Sequence, residues 1–154
     1  MTSRLFLLAL VALLATSCRR DYTPDATPVS PKLSLVLQAC SDKGDADTAQ
    51  TLGIHTVYLT GQRLDLSGMV TGGYVSPTGG GPFGVVLLFN TAGSEALRDF
   101  SSRHIGEQVA ITANGKLLMA PVIQSELTDS IQITGDFSQA EAQALFDSFL
   151  ATPE

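Results

Sequence analysis

Five consecutive apolar residues, Val85-Val86-Leu87-Leu88-Phe89, stand between Gly84 and Asn90. An amphipathic helix or a half-exposed strand would place polar side chains within such a run, so it predicts a central strand covered on both faces. That one requirement limits the fold. Other segments must supply strands on each side and apolar layers above and below.

The flanking sequence provides candidates. Gln108 to Ala113 and Lys116 to Ala120 are β-rich and separated by Asn114-Gly115, a dipeptide that accepts the positive φ angles of a type I′ hairpin turn. Pro121 then closes the second strand, because proline removes a ladder donor. Leu33, Leu35 and Leu37 alternate with Ser34 and Val36 at the period of a strand, and Ile131 and Ile133 alternate with Gln132 and Thr134 in another. Ile54 to Leu59 is a further β-rich run, turned by Thr60-Gly61. Ser41 to Asp47 reads as a solvated polar loop, since its three acids lack the regular ladder of oxygen ligands that a calcium loop needs. Residues 71–84 contain six glycines and two prolines and predict a loop, with Tyr74 and Phe83 as apolar groups available to a partner.

Two helices complete the set. Ser94 to His104 places Ala96, Leu97 and Phe100 on one face, with Glu95, Arg98, Asp99 and Arg103 towards water. Ser138-Gln139-Ala140-Glu141 is a capping box, opening a helix whose Ala142, Leu145, Phe146 and Phe149 recur at i, i+3, i+4 and i+7. The expected class is α+β, a mainly antiparallel sheet with two amphipathic helices on one face.

The first residues have another purpose. Arg4 precedes eleven apolar residues, Leu5 to Ala15, and Thr16-Ser17 lead into Cys18. This is the three-part pattern of a signal peptide. Eleven helical residues span roughly 16 Å, against about 30 Å of bilayer hydrocarbon. Leu14-Ala15-Thr16-Ser17-Cys18 resembles a lipobox, with Ala15 where the usual pattern has leucine. The resemblance implies a lipoprotein signal peptide over residues 1–17, cleavage before Cys18 and lipid on its sulfur, giving a membrane anchor. A plain secreted chain is the other reading. Arg19 and Arg20 would then lie among anionic head groups, worth about 1 kcal/mol each. In cells that sort lipoproteins by the residue after the cysteine, Arg19 favours the outer membrane, facing the periplasm. Residues 18–32, with prolines at 24, 28 and 31, are expected to form an extended tether, and residues 33–154 a single domain.

Several classes of function are disfavoured. Without residues 1–17 the chain has eight basic and fifteen acidic side chains, a net charge of −7 that nucleic-acid phosphates would repel. His55 and His104 stand far apart with no ligand spacing around them, so no metal or cofactor is expected. With Cys18 lipidated, Cys40 has no disulfide partner and reads as a small buried residue. No Gly-x-Ser-x-Gly elbow or Ser-x-x-Lys motif is present, and no catalytic residue is assigned.

The segments Val109-Ala110-Ile111 with Asn114-Gly115-Lys116, Ala120-Pro121-Val122-Ile123, and Ile133-Thr134-Gly135-Asp136-Phe137-Ser138 with Glu141-Ala142, occur in that order. Together with Tyr58-Leu59-Thr60-Gly61, they resemble the head subdomain of the first periplasmic domain in the SecD/SecDF protein-export family, over about residues 57–150. The resemblance implies a non-enzymatic domain outside the cytoplasmic membrane that binds exported polypeptide or docks a Sec component. A ligand-binding or scaffolding envelope module that reuses the fold is the alternative. The family's proton-driven motion needs spanning helices, and no apolar run after Ala15 approaches the required length of about 18 residues.

Overall fold

The computed structural model describes residues 25–79 and 81–150. The expected signal peptide and Cys18 lie outside the described residues. Eight strands and two α-helices are present among them: β1 (Leu35–Ser41), β2 (Ala49–Leu52), β3 (His55–Asp65), β4 (Val70–Pro77), β5 (Phe83–Phe89), α1 (Thr91–Arg103), β6 (Gln108–Ala113), β7 (Lys116–Met119), β8 (Ser130–Phe137) and α2 (Gln139–Leu150). The α+β class holds, with every strand pairing antiparallel. The strands divide into a five-stranded sheet, β2-β3-β1-β6-β7, and a three-stranded sheet, β4-β5-β8.

The apolar run forms a central strand as expected, but only one of its faces joins the core: Val85, Leu87 and Phe89 pack there, whereas Val86 and the half-buried Leu88 do not. β5 is the middle strand of the smaller sheet, and Val85 and Leu87 are fully buried. Those two side chains meet a main core shared by both sheets and both helices, containing Leu35 and Leu37 of β1, Ile111 of β6, Ile133 of β8, Leu97 and Phe100 of α1, and Phe146 of α2. A fully buried aliphatic side chain of this kind contributes about 1.5–3 kcal/mol relative to an exposed one. The larger sheet curls until β2 and β7 approach one another. A second small cluster, Cys40, Val57, Ala110 and Leu117, fills its other face.

Pro121 lies where the β6–β7 hairpin gives way to the crossover into the smaller sheet. The β6–β7 hairpin turns at Asn114 and Gly115, with φ of 48° and 78°. Beyond Met119 the chain continues beside β6 only through scattered bonds, such as Val109 N–H to the Pro121 carbonyl and Ile123 N–H to the Glu107 carbonyl, both 2.9 Å. It then crosses over, and β8 pairs with β5.

Three local expectations change, and one ion pair departs from helix spacing. Thr60-Gly61 does not turn the chain. β3 runs through it, and the register against β1 slips from Cys40↔Leu59 to Gln38↔Arg63, so the positive φ of Gly61 serves a bulge. Ile54 lies in the β2–β3 turn, 94% exposed, after a polar edge strand that lacks apolar alternation. α1 starts at Thr91, because the Asn90 side chain accepts the Gly93 N–H at 2.8 Å and caps the helix a turn earlier than Ser94 would. Arg103 pairs with Asp99 as helix spacing suggests, whereas Arg98 reaches Glu126 at 3.1 Å instead of Glu95.

Two substitutions test these assignments. Leu87→Ala is expected to lower the unfolding free energy by about 2–5 kcal/mol in urea titration, through the cavity it leaves in the shared core. Asn90→Ala is expected to cost about 1 kcal/mol by the same measurement.

Candidate functional site: a groove along the edge of the smaller sheet

The glycine-rich stretch expected as a loop is largely strand, and this creates the most developed groove among the described residues. Gly72 and Gly73 lie within β4 because two backbones approach there. A side chain on Gly73 would press into the Val86 carbonyl oxygen, and one on Gly72 would meet the Thr27 carbonyl oxygen at 2.9 Å. Glycine is read as a breaker from sequence alone, yet at a crowded edge it is what permits pairing. Only the connection to β5 is irregular, and it is tied by Thr78, whose N–H and hydroxyl both donate to the Pro82 carbonyl at 2.8 Å.

The groove has a volume of about 670 Å³. Tyr74 to Pro77 form one wall, Phe83 lies beside them, and Gln139, Gln143 and Phe146 of α2 form the other wall, with Thr27 at the end. Tyr74 and Phe83, singled out in sequence as apolar contact groups, are thus brought to one place, both half-buried. Gln139, Gln143 and Phe146 were legible only as positions on a helix. The lining holds amides, hydroxyls and aromatic rings and no charged side chain. It offers hydrogen bonds and apolar contact to an uncharged ligand, without groups for acid–base chemistry.

Thr27 belongs to a strap. Its N–H donates to the Gly73 carbonyl, and the Gly73 N–H donates back to Thr27, each at 2.9 Å. Ser30 is buried, its N–H donating to the Phe149 carbonyl at 2.9 Å, and Leu33 enters the core. The end of the expected tether, residues 27–32, therefore lies against the domain. Its prolines allow this because an extended edge segment needs few N–H donors.

The remaining sequence candidates stay apart from the groove. Cys40 is buried and unpaired, and burial pushes its thiol above the ordinary value, the Ala110 backbone working the other way. His104 is buried at the end of α1, stacked on Phe100 with Nδ1 2.7 Å from the Phe100 carbonyl, while His55 is exposed on β3. Among the described residues there is no group of three or more His, Cys, Asp or Glu placed to hold a metal. No helix there is long and apolar enough to cross a membrane.

Residues 41–148 match the model of the family described as SecDF, P1 head subdomain. Similar proteins include the protein translocase subunit SecD of Rhodobacter capsulatus, 44% identical over 62 residues that make up 40% of this chain and 11% of that protein. SecD of Acidaminococcus fermentans is 39% identical over 62 residues, 40% of this chain and 15% of the relative. SecD of Aquifex aeolicus is 40% identical over 52 residues, 34% and 10% respectively. The match thus spans about a tenth to a sixth of the curated relatives' length. A solved structure of a membrane component SecDF that enhances protein export has a TM-score of 0.56 at 16% identity, covering 75% of this chain and 60% of that one. At that identity the likeness is one of fold.

The α2 wall of the groove starts at the expected capping box. A Glu141 carboxylate oxygen accepts the Ser138 N–H at 2.8 Å and its hydroxyl at 2.7 Å. The backbone bond first and the hydroxyl second hold the Glu141 carboxyl below its ordinary value of 4.5. A carboxyl with a depressed folded pKa stabilises above its unfolded pKa, and the effect is lost as pH falls through the folded value. Glu141→Gln is therefore expected to lower the melting temperature near neutral pH, and the difference from the parent should narrow as pH drops below 4.5. A pH-independent difference would assign the effect to packing.

Proposed function

This chain belongs to the SecDF P1 head subdomain family, and from that premise we propose that it is a non-enzymatic, lipid-anchored envelope protein whose domain binds polypeptide in protein export. The observation that carries the reading is the uncharged groove between β4 and α2, where Phe83 and Phe146 supply apolar surface beside the β4 edge. Aromatic rings supply contact area at low entropic cost, and the amides and hydroxyls beside them match the backbone of a passing chain. The relatives' names, subunits of a protein translocase, support a polypeptide as the ligand over a small metabolite.

The anchor is the second part of the proposal. Arg4, the apolar run to Ala15 and the lipobox-like residues before Cys18 support an N-terminal signal peptide and lipid on Cys18. Lipid there would hold residues 33–154 at a membrane surface outside the cytoplasm, in the periplasm where the cell has an outer membrane. Held there, the domain would act as a binding or docking module.

Photo-crosslinkers placed at Tyr74 or Phe83 in living cells are expected to capture exported polypeptides in transit or Sec components. A probe at exposed Glu95 on α1 serves as background. Capture from the groove no greater than from Glu95 would contradict the binding role. Cys18→Ser is expected to abolish lipid labelling and release the chain from membranes while its far-UV spectrum is unchanged. Retention on the membrane would contradict the anchor.

A further inference from the structure

The strap shows what the β4 edge accepts. Thr27 and Gly73 exchange two backbone hydrogen bonds, so the N–H and carbonyl of Gly73 point away from β5. Antiparallel pairing repeats that orientation at every second residue, which directs the backbone groups of Val75 the same way. The next outward position is Pro77, which has no N–H to offer. Opposite Val75 the register places Asp25, which is exposed and makes no backbone bond to it. The edge therefore presents one pair of groups bonded to an extended segment, a second pair beyond it, and a proline that ends the series.

We infer that the β4 edge from Gly73 to Val75 is a strand-addition site for an extended polypeptide, which pairs antiparallel with β4 in place of the strap and lays its side chains into the adjoining groove. The inference rests on the polypeptide-binding reading above and specifies its mode. Three observations on this structure favour a polypeptide as occupant. The segment already seated on the edge is extended backbone. Gly72 leaves room for a second backbone, since a Cβ there would lie 2.9 Å from the Thr27 carbonyl oxygen. The groove beside the edge is uncharged, so nothing in it selects a particular charged ligand. The strap is displaceable because a single bridge is exchanged for two pairs of bonds, each of small net worth in water. Recognition through backbone bonds tolerates many sequences.

The test uses the full chain in detergent and two peptides, acetyl-Lys-Thr-Val-Thr-Val-Thr-Val-Lys-amide and the same peptide N-methylated at every interior residue. Fluorescence anisotropy is expected to show binding of the first and about tenfold weaker binding of the second, since methylation removes the donors that strand addition uses. Val75→Pro, which deletes one outward N–H, is expected to weaken the first peptide about tenfold as well. Equal binding of both peptides would overturn strand addition and leave the polypeptide-binding reading in place. Binding unaffected by Val75→Pro would overturn the assignment to β4. Binding of neither peptide would overturn the inference together with the reading beneath it.

Discussion

The rest of this structure depends on the burial of β5. Val85 and Leu87 are fully buried, and the strand bonds to a neighbour on each side, so it fixes β4 at one edge of the small sheet and β8 at the other. β8 runs directly into the Ser138 cap, and the cap starts α2 where Phe146 and Phe149 can reach the same core. The groove is a by-product of that order. α2 packs across β4 and β5, and the space between its first turns and the end of β4 is left open.

What was legible in the sequence is what local chemistry decides. Val85 to Phe89 could be read as a central strand because no polar residue interrupts it, and Asn114-Gly115 as a hairpin because few dipeptides tolerate that turn. Ser138 and Glu141 announced a helix start three residues apart. Features set by distant contacts were hidden. Gly72 and Gly73 looked like breakers, since nothing nearby in sequence says that the Val86 carbonyl and Thr27 will crowd them. Residues 27–32 looked like a free tether, because nothing nearby in sequence says that the Ser30 N–H will bond to the Phe149 carbonyl at the end of α2. Ser101 gave no signal either, yet its hydroxyl accepts the Leu127 N–H at 2.8 Å and pins the crossover loop to α1. Tyr74 and Phe83 were visible as apolar groups, but the walls that make them a site come from an edge strand and a helix assigned to different segments.

The family gives this groove its context. The relatives, of whose length the match covers about a tenth to a sixth, carry a similar segment inside a translocase subunit. The strap adds a means of control. Through Thr27 it covers the same edge that a ligand strand would take under the strand-addition proposal.

Residue-resolved amide hydrogen exchange on the free protein tests the central claim, that the β4 edge is closed at Gly73 and open at Val75. Gly73 is expected to exchange slowly, held by Thr27, while Val75 exchanges at close to the rate of an unstructured amide and slows only when an extended peptide is added. Slow exchange at Val75 in the free protein, matching that of Gly73, would contradict the claim.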